Sequence, residues 1–115
     1  MVAIKEVINY EEFSKIDVRV GKILTCEKVE KSDKLLKLDV DFGDLGRRQI
    51  LTGLAQFFLC EEMQGLKTLF VVNLEPRKMM GLDSNGMILG IGLDHEQKPI
   101  LVHLGDDALL GDGIS

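Results

Sequence analysis

The sequence predicts an all-β domain, a small closed barrel of short strands with a helix set between the third and the fourth. Three observations predict it. Leu36-Lys37-Leu38-Asp39-Val40-Asp41-Phe42 alternates apolar and charged residues with the period of a half-buried strand. Further runs of strand length are separated by polar, glycine-rich turns. The internal segment that reads as helical, Leu54 to Met63, follows three strands and precedes the rest. With 115 residues the chain has the commonest size for one core. We therefore read 1–115 as a single domain, with a core over about 10–104 and a C-terminal extension over about 105–115.

Each element has its own signal. Asn9 can cap a short helix over about 10–15, with Glu12 reaching back to close a capping box and Ile8 packing on Phe13. Ile16 to Val20 alternates as a strand and continues through Ile23, Leu24 and Cys26, so Gly21 is expected to mark a bulge or bend. After Leu36–Phe42, the turn residues Gly43 to Gly46 lead to a returning strand over Arg48–Thr52. Leu54 to Met63 is read as a helix or helical turn ended by Gly65, its Phe57 and Phe58 packed in the core. Leu66 to Leu74 is an apolar strand buried on both sides or nearly so. Glu75 to Gly86 is a long loop rich in Gly, Pro and bases. Met87–Ile91 and Pro99–Leu104 read as strands around a turn over Gly92–Lys98. This order is that of the five-stranded OB-fold barrel, with short helices and additional C-terminal strand(s).

Composition narrows the function. Hydrophobic residues make up 45% and charged residues 29%, which argues for a folded chain. No apolar run is long enough for a membrane helix, and the N-terminus lacks the regions of a signal peptide, so a cytoplasmic protein without membrane contact is expected. The formal net charge of -5 disfavours indiscriminate polyanion binding. That total hides an asymmetry. Of 19 acids, five (Asp94, Glu96, Asp106, Asp107, Asp112) lie in 94–115 with the single base Lys98, leaving 14 acids against 13 bases before them.

Catalysis finds little support in the residue pattern. Cys26, Cys60, Ser32 and Ser84 are candidate nucleophiles, but His95 and His103 stand apart from any triad-like motif. Gly90-Ile91-Gly92 is too short for a dinucleotide fingerprint, no phosphate loop occurs, and no metal-ligand spacing links the histidines to the cysteines. No enzyme, cofactor or metal is expected. Cys26 and Cys60 are read as two small buried hydrophobes rather than a disulfide.

The bases are the better lead. Lys28, Lys31, Lys34 and Lys37 recur through the first inter-strand turn, and Arg47-Arg48 and Arg77-Lys78 lie at two other connections. In an OB barrel the first turn and the loop between the last two strands flank one face, where these charges could converge. Glu27, Glu30 and Asp33 are interleaved, so a solvated face of weak ion pairs is the alternative. Aromatic residues amount to only 5%, with no Trp, which disfavours a base-stacking platform. Folded RNA, read by shape, phosphates and 2′-hydroxyls, fits better than a single strand.

Four segments carry a family resemblance: Asp17-Val18-Arg19-Val20-Gly21-Lys22-Ile23, Lys31-Ser32-Asp33-Lys34-Leu35-Leu36, Arg48-Gln49-Ile50-Leu51-Thr52-Gly53, and Asn73-Leu74-Glu75-Pro76-Arg77-Lys78-Met79-Met80-Gly81, closed by Ser84-Asn85-Gly86-Met87. In this order, from about Tyr10 to Leu104, the chain resembles the tRNA-binding domain at the C-terminus of bacterial methionyl-tRNA synthetases and similar free-standing proteins. The resemblance implies an OB fold, a homodimer, and non-catalytic binding of tRNA in support of an aminoacyl-tRNA synthetase. It implies a nucleic-acid-binding set of Lys34, Asn73, Arg77, Lys78, Ser84 and Met87. Arg77 and Lys78 would meet phosphates, and Asn73 and Ser84 sugar or backbone groups.

Each residue also has a structural reading. Asn73 and Ser84 can stabilise their loop, Lys34 can pair with a nearby acid, and Met87 reads as a core residue opening its strand. The apolar tail Ala108-Leu109-Leu110 with Ile114 could pack in a symmetric dimer or in the core. A protein-interaction or chaperone-like module is the alternative function, because Met79, Met80 and Leu82 could bind peptides and some relatives of this family are described as export-related chaperones. Sequence does not separate a free-standing protein from an excised synthetase domain.

Overall fold

The computed structural model describes residues 3–93 and 97–115. After an extended N-terminal segment comes α1 (Tyr10–Ser14), then strands β1 (Val18–Lys28), β2 (Leu36–Asp41) and β3 (Arg47–Thr52). Helix α2 (Cys60–Met63) precedes β4 (Lys67–Val71), β5 (Arg77–Met79), β6 (Leu82–Ser84) and β7 (Met87–Ile88). Five strands form one antiparallel sheet in the order β3-β2-β1-β4-β7, and β3 and β7 at its two edges touch, so the sheet curls into a barrel. This is the expected OB-like architecture, with α2 between the third and fourth barrel strands.

The inward face follows the predicted alternation. Leu36, Leu38 and Val40 of β2 are fully buried, and they pack with Ile23, Phe42, Ile50, Met63, Phe70, Ile88 and Leu101. Each such side chain contributes about 1.5–3 kcal/mol by leaving water. Phe42 and Phe70 meet edge to face, ring centroids 5.4 Å apart. Their crossing explains Gly21. A Cβ there would lie 2.7 Å from Phe42 and Val40 and 2.9 Å from Phe70. The bulge in β1 falls instead between Ile23 and Thr25, where the pairing with β2 shifts.

α1 forms with the predicted capping box: Asn9 Oδ1 accepts the Glu12 N–H at 2.8 Å. Other elements correct the sequence reading. The helix expected from Leu54 is confined to Cys60–Met63, because Leu59 turns to extended backbone after a separate turn in which the Leu54 carbonyl accepts from Phe57 and Phe58. The Glu62 carboxylate then accepts the Leu59 N–H at 2.9 Å and starts the real helix. β4 is buried at Thr68, Phe70 and Val71, while Lys67 and Leu69 are only half-buried.

Glu75 to Gly86 is no irregular loop. It holds the hairpin β5–β6, turned by Met80 (φ 51) and Gly81 (φ 78), the pair of left-handed residues a two-residue hairpin turn needs. Met87–Ile91 shortens to β7, and among the described residues the Pro99–Leu104 segment makes a bridge from Ile100 to Ile91 and a Leu104 N–H bond to the Lys67 carbonyl. Pro99 removes a donor at the start of that segment, and β7 is too short to offer a longer partner. The expected turn over Gly92–Lys98 includes Asp94, His95 and Glu96, which lie outside the described residues.

C-terminal strand-like pairing occurs later, beside β1. Val20 N–H donates to the Asp112 carbonyl, Gly111 to Val20 and Ile114 to Val18, at 2.8–3.0 Å. Arg19 and Lys67 anchor this tail, Arg19 through the Gly111 carbonyl and Lys67 through those of Gly105 and Ala108. Two bases are thereby given to structure. Among the described residues no helix is long and apolar enough to cross a membrane.

Candidate nucleic-acid interface

The β5–β6 hairpin is inserted between β4 and β7, the connection that in an OB barrel flanks the ligand face together with the turn after the first strand. It lies along β3. Leu51 N–H donates to Ser84 Oγ at 2.9 Å, Gln49 Nε2 donates to the Asp83 carbonyl at 2.9 Å, and Asn85 N–H returns a bond to the Gln49 carbonyl at 2.8 Å. Leu51 is consequently buried although it stands outside the barrel core.

The hairpin tip reaches the first turn. Met80 and Leu82 share a cleft with Lys28, Lys31 and Lys37, so the Pro-Arg-Lys loop and the lysine-rich turn are neighbours. Lys34 belongs to the same turn, shaped by Ser32 Oγ, which accepts from the Lys34 and Leu35 N–H groups at 3.3 and 3.2 Å. The Lys34 carbonyl accepts the Ala55 N–H at 3.0 Å, which fixes the turn beside Leu54. Leu54 in turn lines a groove of about 360 Å³ with Leu51, Arg77, Met79, Met87 and Leu93. One rim, the cleft under the hairpin tip, thus carries Lys28 and Lys31 beside Glu27 and Glu30, and Arg77 lines the separate groove with Leu54.

The charges on this rim are lightly held. Lys78 meets Asp83 at 3.5 Å and Lys37 meets Glu27 at 3.3 Å, both in solvent, where such pairs contribute little and a phosphate can compete. Among the described residues no carboxylate lies within ion-pair distance of Lys28, Lys31, Lys34 or Arg77.

Arg47 and Arg48 do not join them. They begin β3 opposite Asp41 and Val40, at the far end of β2 from Leu36 and its lysine turn, about 17 Å along a six-residue strand. Arg47 pairs with Asp39, whose hydrogen bond and charge raise the guanidinium pKa further, and Arg48 Nη1 donates to the Val72 carbonyl.

The remaining predicted residues divide by environment. Asn73 Oδ1 accepts the Asp17 N–H at 2.9 Å and its Nδ2 donates to the Lys15 carbonyl, so its amide joins α1 to the end of β4. Ser84 is buried, accepting from Leu51 and donating to the Gly86 carbonyl at 3.2 Å. Met87 is not the core residue its strand position predicts: 46% of it is exposed, at the groove, because Ile88 is the residue of β7 that turns inward. Sequence reasoning named Met80 and Leu82 only for the peptide-binding alternative and missed Leu93, which lines the groove. The Met-Gly turn was the available signal for the hairpin, obscured because Asn-Gly is the usual pair.

Comparison with known proteins assigns the class. A family model described as a tRNA binding domain matches residues 18–112, and the chain belongs to this tRNA-binding domain family. Its relatives include methionine–tRNA ligases of Methanosarcina mazei, 47% identical over 83 residues, covering 72% of this chain and 12% of that protein. The ligase of Clostridium acetobutylicum is 41% identical over 111 residues, covering 96% of this chain and 17% of that protein. The chain therefore spans less than a fifth of the length of these ligases. Among solved structures, the MetRS related protein from Pyrococcus horikoshii superposes with a TM-score of 0.88 at 36% identity, covering 96% of this chain and all of that one. The chaperone CsaA from Bacillus anthracis gives a TM-score of 0.83 at 26% identity, with 96% of this chain and 100% of that chain covered.

Proposed function

We propose that this domain binds folded tRNA, without catalysing a reaction, through the rim where the Lys28–Lys34 turn meets the β5–β6 hairpin. The observation that supports the reading is that meeting: Met80 and Leu82 of the hairpin line one cleft with Lys28, Lys31 and Lys37 of the first turn, in a protein whose net charge is negative. Lys34, Arg77 and Lys78 supply phosphate contacts, and Met87 lies against the ligand from the groove. Asn73 and Ser84, whose polar atoms are engaged within the fold, hold the loop in shape. Family membership and the likeness to the methionine–tRNA ligase segments support an accessory role for an aminoacyl-tRNA synthetase, in the cytoplasm.

Binding by so few bases is weak, and pairing two copies raises it through effective concentration. A homodimer is supported by apolar residues the single chain leaves in water: Ile4 and Val7 are 98% and 97% exposed, and Leu109 and Ile114 lie largely open on the tail. A chaperone-like function is the second reading, favoured by the apolar groove lined by Met79, Met87 and Leu93 and by the likeness to CsaA.

Titration of labelled tRNA at several salt concentrations tests the proposal. Binding that weakens with salt, with a log–log slope of a few phosphate contacts, is expected. Affinity for unfolded polypeptide with none for tRNA favours the second reading.

A further inference from the structure

The two cysteines, 34 positions apart in sequence, come together where the end of β1 meets the start of α2. Cys26 is buried near the end of β1 and Cys60 is the partly exposed first residue of α2. Their Sγ atoms are 2.8 Å apart, well inside an ordinary sulfur contact, and both are free thiols. Neighbouring bonds hold the two elements together independently of the thiols. Cys26 N–H donates to Gln64 Oε1 at 3.2 Å, Gly65 N–H to the Ile23 carbonyl at 2.7 Å, and Ile23 N–H to the Leu66 carbonyl at 2.9 Å.

We propose that Cys26 and Cys60 form a reversible dithiol–disulfide site, closed by exchange with a small-molecule disulfide and clamping α2 to β1. Cys60, the accessible thiol, attacks as its thiolate and forms a mixed disulfide, releasing one thiolate of the reagent. Cys26 then gives up its proton and attacks Cys60 Sγ, expelling the second thiolate. Two S–H bonds are lost and one S–S bond forms, while the reagent disulfide takes up two electrons and two protons to become two thiols. Burial, and the hydrogen bond to Cys60, push the Cys26 thiol well above the ordinary cysteine range, which leaves the first attack to Cys60. The loop so closed contains Lys28, Lys31 and Lys34.

The test is to incubate the reduced full chain with oxidised glutathione, alkylate it, and read intact mass and linked peptides. The expected product is a monomer two hydrogens lighter that takes up no alkyl group and yields a Cys26–Cys60 peptide pair. Its thermal midpoint should be higher by roughly 10 °C, the entropy of a loop this long being removed from the unfolded chain. Cys26→Ala should stop at a glutathione adduct on Cys60, and Cys60→Ser should take up no glutathione. Two alkylated thiols after treatment of the native chain, a stable adduct on Cys60 there, disulfide-linked dimers, or a lowered midpoint would each overturn the proposal.

Discussion

Ser84 Oγ stands 2.9 Å from the Leu51 N–H, so a buried hydroxyl on β6 completes the hydrogen bonding of β3. The same oxygen donates to the Gly86 carbonyl, which ties the hairpin to the strand that follows it. The hairpin is therefore fastened to the barrel through a buried hydroxyl. Ser84→Ala leaves the Leu51 amide unsatisfied under the hairpin, at a cost of about 1–3 kcal/mol in urea unfolding. Weakened tRNA binding with an unchanged salt slope should accompany it; a slope reduced by one phosphate would show instead that Ser84 contacts the ligand.

Gly21 is required by packing. Gly21→Ala drives a methyl into Phe42, Val40 and Phe70, and about 1–3 kcal/mol of stability should be lost. Gly53→Ala is the control, because a Cβ there meets nothing within 4 Å. It should stay within about 0.5 kcal/mol of the native chain. Equal effects of the two substitutions in thermal unfolding would contradict the assigned crossing of the aromatic pair.

Glu62 predicts a feature of the acid limb. Its carboxylate accepts from Lys98 Nζ at 2.7 Å and from the Leu59 N–H, and both bonds lower its pKa in the folded chain. A carboxylate depressed by folding contributes stability that is present above its unfolded pKa and is lost as pH falls through the folded one. Stability measured against pH should therefore decline below the ordinary glutamate range, and Glu62→Gln should flatten that part of the curve. An unchanged curve for the variant would remove Glu62 from the account.

Much of this was legible in the sequence, for identifiable reasons. β2 was plain because Leu36, Leu38 and Val40 alternate with charges, and α1 because Asn9 and Glu12 sit at capping-box spacing. Arg77 and Lys78 were visible as bases in a long connection. What was hidden depends on distant partners. Nothing local to Leu54–Leu59 reports that the backbone leaves the helix before Cys60, nor does Pro99–Leu104 reveal that β7 is too short to pair with it. Arg47 and Arg48 looked equivalent to the other bases until β3 placed them beside Asp39 and Val72. The contact of Cys26 with Cys60 is likewise a product of the barrel.

The central claim is that one rim, rather than overall charge, carries the ligand. The direct measurement is the affinity for labelled tRNA of Arg77→Ala/Lys78→Ala beside that of Arg47→Ala, at fixed salt. Loss of two phosphate contacts predicts a large drop for the double variant and a salt slope smaller by about 2, while Arg47→Ala, at the opposite end of the barrel, binds as the native chain does. Equal losses from both variants, or none from the double variant, would contradict it.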